Sequence, residues 1–202
     1  MKIKKVTILS TYFLHKSHFV YSKKLHSKMK HPLTPFLFCP RCSSSRFPEN
    51  DEKSKKCTDC GFTFYLNASS AVAAIIVNNN KEMLLCRRAY EPYKGTLDLP
   101  GGFVDLNESA EEAIRREIRE EIGAEVETIQ FFGSFPNIYP YSGFDVRTLD
   151  IIFTCSLKAG SILAPNDDVS EVIFIPFNEI NPEEIKLPSI RKAVEKYIMS
   201  EL

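Results

Sequence analysis

Gly101–Ala124 reads GGFVDLNESAEEAIRREIREEIGA, and its second half is the clearest helix in the chain. Ser109 followed three residues later by Glu112 is a capping box that starts a helix, and Gly123 supplies the stop. Ala110, Ile114, Ile118 and Ile122 recur every four residues, giving one apolar stripe for a core. Glu117, Glu120 and Glu121 lie at i, i+3 and i+4, so their carboxylates share another face. Three like charges this close repel unless a cation joins them, and a hard divalent ion with oxygen ligands, Mg²⁺ or Mn²⁺, is the natural partner. The competing reading is a solvated acidic face. Glu108 and Arg116 stand about two turns apart and can pair to anchor the loop before the helix. Gly101 and Gly102 permit tight loop geometry, and the Gly102 carbonyl is a candidate metal ligand.

Around this helix the chain reads as strands and one further helix. Ala71–Val77, three asparagines and Glu82–Arg88 form a strand, a turn and a second strand. Thr96–Leu99 is a short extended piece ended by Pro100. Val126–Phe132, Leu149–Leu157 and Val172–Ile175 are further strands, and Ser189–Ser200 is a closing helix with Ile190, Ala193, Val194, Tyr197 and Ile198 inward. The irregular alternation implies an α/β fold with a mixed sheet between helices.

Upstream, Cys39-Pro-Arg-Cys42 and Cys57-Thr-Asp-Cys60-Gly61 are separated by a polar stretch of fourteen residues. Two thiolates of one tight turn reach the same tetrahedral ion, and two such turns complete an all-thiolate zinc site that is structural rather than catalytic. The alternatives are two disulfides or a redox Cys-x-x-Cys; the first needs an oxidising compartment and the second is rarely doubled. Cys86 and Cys155 sit in apolar runs and read as small core residues.

Charge divides the chain. Residues 1–48 hold ten Lys or Arg and no acidic residue, whereas the remainder has 16 basic and 26 acidic residues. The four histidines are all within the first 31 positions, which removes Ser-His and Cys-His nucleophiles from the body of the protein. Residues 1–35 are expected to be a basic, disordered leader outside the fold. A short signal-like segment and a nucleic-acid arm are the other readings, and Met29 is a candidate start. No apolar run reaches the roughly 20 residues of a membrane helix, so no membrane role is expected and the cytoplasm is the expected compartment.

The stretch Gly102, Glu108, Arg116, Glu117, Ile118, Glu120, Glu121 and Gly123 matches Gly-x5-Glu-x7-Arg-Glu-U-x-Glu-Glu-x-Gly-U, where U is aliphatic. The chain thereby resembles the Nudix hydrolases. With each specified residue occurring about once in fifteen, a chance match has odds on the order of 10⁻⁸ per start position. Ala124, where a larger aliphatic residue is usual, is the one departure. The resemblance implies a Nudix α/β/α sandwich over residues 67–202, preceded by a zinc ribbon over 36–66. It implies metal-dependent cleavage of a diphosphate linkage in a nucleoside diphosphate derivative. Glu117, Glu120 and Glu121 would be metal ligands, with Glu120 and Glu121 catalytic and Glu108, Arg116 and Gly123 structural.

A ribbon directly before such a domain is similar to the NADH pyrophosphatase branch, whose further motif is Ser-Gln-Pro-Trp-Pro-Phe-Pro-x-Ser. Here Ser134-Phe-Pro-Asn-Ile-Tyr-Pro-Tyr-Ser142 keeps Ser134, Pro136, Pro140 and Ser142, with Tyr139 aromatic. Phe135, Asn137 and Ile138 depart from it, so a proline-rich active-site loop of another specificity is the other reading. Glu171, in an acidic stretch before a strand, is a candidate further metal ligand or general base, against plain surface acidity. Arg87, Arg88 and Tyr139 are candidate substrate contacts, although arginines at a strand end often meet only solvent. The substrates implied are NAD(H) or ADP-ribose types, with NAD-capped RNA among them, and related enzymes are often homodimers. Two further function classes stay open: a nucleotide-sensing or nucleic-acid-binding module without turnover, and a housecleaning nucleoside triphosphate pyrophosphatase.

Overall fold

The helix signalled by Ser109 and Gly123 forms as α1, Ala110–Ile122, in the computed structural model, which describes residues 31–201. The Ser109 hydroxyl accepts from the Glu112 N–H and the Glu112 carboxylate accepts from the Ser109 N–H, closing the capping box. Gly123 ends the helix in the left-handed conformation at φ 69°, its N–H turned back to the Ile118 and Arg119 carbonyls. Ile114, Ile118 and Ile122 are fully buried. Each contributes about 1.5–3 kcal/mol relative to exposure, so the apolar stripe and not propensity holds the helix down.

Two sheets lie under it. Strand β4 (Ser69–Ile76) pairs in parallel with β8 (Phe144–Leu157), which pairs antiparallel with β7 (Val126–Tyr141). Strand β5 (Glu82–Arg88) lies between β6 (Leu97–Asp98) and β9 (Val169–Pro176), both antiparallel to it. Side-chain alternation explains the layers. Val72, Ala74 and Ile76 of β4, with Leu84 and Cys86 of β5, face α1. Ala73, Ile75, Met83 and Leu85 face Ile190, Ala193 and Val194 of the closing helix α2 (Pro188–Glu201). The result is an α/β/α sandwich with mixed strand directions, as the sequence implied.

The largest departure from the sequence reading is the β7–β8 hairpin. Sequence ends one strand at Phe132 and restarts at Leu149, leaving a proline-rich loop between. The structure instead runs β7 on to Tyr141 and turns through Ser142 and Gly143, with φ of 50° and 74°, straight into β8. Paired positive dihedrals are what a tight two-residue hairpin turn needs. Pro136 and Pro140 are tolerated because β7 is a sheet edge. Four residues apart, they share the phase in which an edge strand's N–H faces away from its partner.

The cysteine module precedes the sandwich as a three-stranded antiparallel sheet, β1 (Glu49–Asp51), β2 (Ser54–Lys56) and β3 (Thr63–Tyr65). The leader expected over 1–35 is folded in its last five residues. Leu33 is fully buried, and the His31 ring bonds the Asp51 carbonyl at 2.7 Å. Residues 1–30, with the rest of that leader, lie outside the described residues. Among the described residues no helix is long and apolar enough to cross a membrane.

Candidate active site

A cavity of about 260 Å³ opens where α1, the loop Gly101–Phe103 and the β7–β8 hairpin meet. Glu117, Glu120 and Glu121 line one wall. Glu117 and Glu121 are buried, and Glu121 Oε2 accepts from the Gly101 N–H at 2.8 Å. Burial pushes its carboxyl up to about 9, opposed by that N–H and reinforced by the charges of Glu117, Asp98 and Asp168. Burial also raises Glu117, against the Arg116 guanidinium. Glu120 is half-exposed at the mouth.

Arg116 braces this acidic wall. Its guanidinium grips Glu108 through two bonds of 2.9 and 3.0 Å and the Phe103 carbonyl at 3.0 Å. It also reaches Glu117 at 2.8 Å and Glu120 at 3.1 Å. The anchor read from the sequence between Glu108 and Arg116 is therefore formed, and the same side chain supplies counter-charge to two of the three carboxylates. Glu108 is held below its usual range by Arg116.

The two glycines do different things. Gly101 takes φ +152°, and a Cβ there would sit in the Val72 carbonyl. A Cβ on Gly102 would lie 2.5 Å from Oε1 of Glu117. The Gly102 carbonyl, a candidate ligand, accepts from the Val72 N–H at 2.8 Å and keeps its second lone pair.

The donor set fits a hard divalent cation: carboxylate oxygens with a carbonyl beside them, two of the acids raised chiefly by burial. Among the described residues, only the four thiols are gathered to within 4.8 Å of one another. The α1 carboxylates are drawn apart, two onto Arg116 and one onto Gly101.

The remaining wall comes from strands. Arg88 bonds Asp98 at 2.7 Å and the Tyr139 hydroxyl at 3.1 Å, with its guanidinium 5.9 Å from the Tyr139 ring. Phe103 meets Tyr139 edge-on at 5.9 Å. Tyr139 therefore lies in the cavity, where the sequence reading set it among substrate contacts. Arg87 and Glu171 do not. They pair with each other at 2.8 Å, both partly exposed, and neither lines the cavity. The reason is alternation: Arg87 and Glu171 are register partners on the face of the β5–β9 pair opposite Cys86 and Val172. Asp168, just before β9, lines the cavity instead. Sequence reasoning passed over Asp98, Asn137, Thr148 and Asp150, which also line it. Asn137 and Thr148 lie on the unrecognised hairpin extension.

In the cysteine module, Cys39 and Cys60 sulfurs are 3.7 Å apart, and those of Cys42 and Cys57 are 3.6 Å apart. Four sulfurs about 2.3 Å from one tetrahedral ion stand about 3.8 Å from each other. All four are free thiols, with no disulfide joining them. Ser43 and Gly61, each just after a Cys-x-x-Cys, take positive φ of 59° and 72° and let both turns close. The amides of Cys60 and Asp59 draw the Cys57 thiol down, while the neighbouring thiols and burial push Cys42 up, so the cluster divides its protons unevenly.

A family model described as NUDIX domain matches residues 68–197. The chain belongs to the Nudix family. The chain is 36% identical over 146 residues to an ADP-ribose pyrophosphatase of Methanocaldococcus jannaschii, covering 71% of this chain and 79% of that one. It is 27% identical over 158 residues to the NAD-capped RNA hydrolase NudC of Haemophilus influenzae strain PittGG. That match covers 77% of this chain and 57% of the other, so the chain spans little more than half the length of this relative. Among solved structures, a Nudix hydrolase from Nitrosomonas europaea superposes with a TM-score of 0.62 at 26% identity, covering 81% of this chain and 90% of that one. Helix α1 and the loop before it lie inside the matched region, and the four cysteines precede it.

Proposed function

We propose that this Nudix chain hydrolyses the diphosphate linkage of a nucleoside diphosphate derivative of the NAD(H) or ADP-ribose kind, using Mg²⁺ or Mn²⁺. The observation that carries the reading is the single wall of Glu117, Glu120 and Glu121, braced by Arg116 and open to a cavity with a cationic and aromatic opposite side. The relatives named as ADP-ribose pyrophosphatase and NAD-capped RNA hydrolase support the same substrate class.

Glu117, Glu120 and Glu121, with the Gly102 carbonyl, would hold the divalent ions. Those ions, when bound, supply neutralisation of the diphosphate and polarisation of phosphorus. Arg116 keeps the carboxylates ordered before loading, because Glu108 fixes the guanidinium from the other side. Glu120, exposed at the mouth, is the carboxylate suited to take the proton of an attacking water, and Asp168 assumes the accessory acidic role expected of Glu171. Arg88 is fixed by Asp98 and Tyr139, so its charge faces the cavity without reorganisation on binding. Zinc on Cys39, Cys42, Cys57 and Cys60 would hold the ribbon together. Six free cysteines suit a reducing compartment, the cytoplasm.

The test is a panel of NADH, NAD, ADP-ribose, diadenosine polyphosphates and deoxynucleoside triphosphates with Mg²⁺ or Mn²⁺, with products resolved. Nucleoside monophosphate release from the first three, lost in Glu120→Gln, is expected. Nucleotide affinity without any cleavage would instead make this a sensing module, and cleavage confined to triphosphates would make it a housecleaning enzyme.

A further inference from the structure

Asn137 lies on the hairpin extension, lines the cavity and is 8% exposed. Its Nδ2 donates to Asp150 Oδ2 at 3.2 Å. That bond fixes the amide, since the flipped orientation would press Oδ1 against a carboxylate. Oδ1 is left sealed from solvent with no partner, and no other side-chain nitrogen or oxygen so buried among the described residues lacks one. An unsatisfied buried acceptor is a standing penalty, and a ligand donor relieves it.

The neighbours decide which ligand. Asp150, 5% exposed, also accepts from Thr148 Oγ1 at 2.5 Å and from Ser189 Oγ at 2.5 Å. The Thr148 and Ser189 hydroxyls and one Nδ2 hydrogen of Asn137 are thus committed to Asp150, and Oδ1 is the acceptor left without a partner. A ligand that brings only acceptors leaves Oδ1 unmet beside the Asp150 carboxylate, whereas an N–H meets a waiting acceptor. Leu187 and Ile190 line the same cavity and offer apolar surface to a flat ring.

We propose that Asn137 determines specificity: Oδ1 accepts an N–H from an NH₂ group on a planar nitrogen heterocycle, either an exocyclic ring amine or a ring carboxamide, of the nucleotide being cleaved. This rests on the diphosphate hydrolase reading and adds the group that the cavity selects. A site that leaves a buried acceptor unmet by the wrong ligand discriminates far more strongly than an apolar pocket does.

The test compares NAD with two analogues on the wild-type protein. Nicotinic acid adenine dinucleotide replaces the carboxamide by a carboxylate, and nicotinamide hypoxanthine dinucleotide replaces the purine amine by a carbonyl. One of the two is expected to lose about 10- to 100-fold in kcat/KM, carried by KM, and the one that loses identifies the source of the NH₂. Asn137→Leu should bring that ratio to within about twofold, whereas a merely structural role would weaken all three alike. Should Asn137→Leu fail to fold, Asn137→Ala withdraws the acceptor without adding bulk. Equal kcat/KM for all three in the wild type overturns the inference and leaves the hydrolase standing. If nothing is cleaved, calorimetric affinities for the same three decide: tenfold discrimination keeps the inference while the activity falls, and equal or absent affinities overturn it.

Discussion

Adjacent glycines give opposite failures when each is replaced by alanine. At Gly101 the added methyl enters the Val72 carbonyl and comes within 2.7 Å of the Ala73 Cα, while φ stays at +152°. Neither obstacle is a side chain that can turn away. Both belong to β4, the strand that carries the parallel pairing with β8. Backbone strain of this kind and the accompanying shift destabilise by about 3 kcal/mol, or about 6–12 °C in Tm for a chain of this size. At Gly102 the methyl meets only the Glu117 carboxylate, 2.5 Å from Oε1 and 2.8 Å from Cδ. Glu117 can move by rotating, at about 1 kcal/mol, so the fold survives. The metal-facing oxygen is then displaced by about 1 Å, which lowers turnover about 100-fold and raises the Mg²⁺ concentration needed for half-maximal rate. Thermal melts read the first effect, and initial rates across a Mg²⁺ titration read the second. Wild-type turnover and metal dependence in Gly102→Ala, or a wild-type Tm in Gly101→Ala, would refute this account of the loop.

Metal-free protein should lose stability as pH rises from about 4.5 to about 9, because Glu121 binds its proton more tightly folded than unfolded. A raised folded pKa stabilises fully below the unfolded value, and the contribution is lost through about 9. Denaturant titrations should find Glu121→Gln flatter across that window and more stable than wild type at pH 8, by up to a few kcal/mol. Equal pH slopes would show that Glu121 is not burdened by its charge. The ribbon should carry stoichiometric zinc by elemental analysis, lost in Cys39→Ser. A chelator should expose the amides of Glu49–Tyr65 to hydrogen exchange while those of α1 stay protected. Full amide protection after zinc removal would show that the ribbon folds without a metal.

What sequence disclosed was whatever its neighbours along the chain determine. The capping box, Gly123 and the repeat Ala110-Ile114-Ile118-Ile122 are local, and α1 begins and ends where they say. The Glu108–Arg116 brace was legible for the same reason, since helical spacing alone brings the two together. The Arg87–Glu171 pair was not, because it joins residues 84 apart through strand register. Alternation along β5 carries Arg88, with Cys86, into the cavity beside Asp98, with Arg87 facing the other way. Pro136 and Pro140 hid the extension of β7, because a proline signals a strand's end unless the strand is known to be an edge. Edge status is a property of the assembled sheet and is not written in any short window.

This division has a chemical consequence. The carboxylates and their brace come from one continuous stretch, Gly101 to Gly123, whereas the selective wall is assembled by β7, β8 and α2. At its centre, Asn137 stands where the NADH pyrophosphatase motif has tryptophan. An indole has one N–H to donate and nothing to accept with, whereas the group that Asn137 leaves free is an acceptor. The exchange thus adds an acceptor to the floor while Tyr139, two residues on, keeps its aromatic face at the mouth. Asp150 takes up one amide N–H and leaves Oδ1 no protein partner. On the proposed reading, the chemistry of cleavage and the choice of what is cleaved answer to different residues, and the second can change while α1 stays intact.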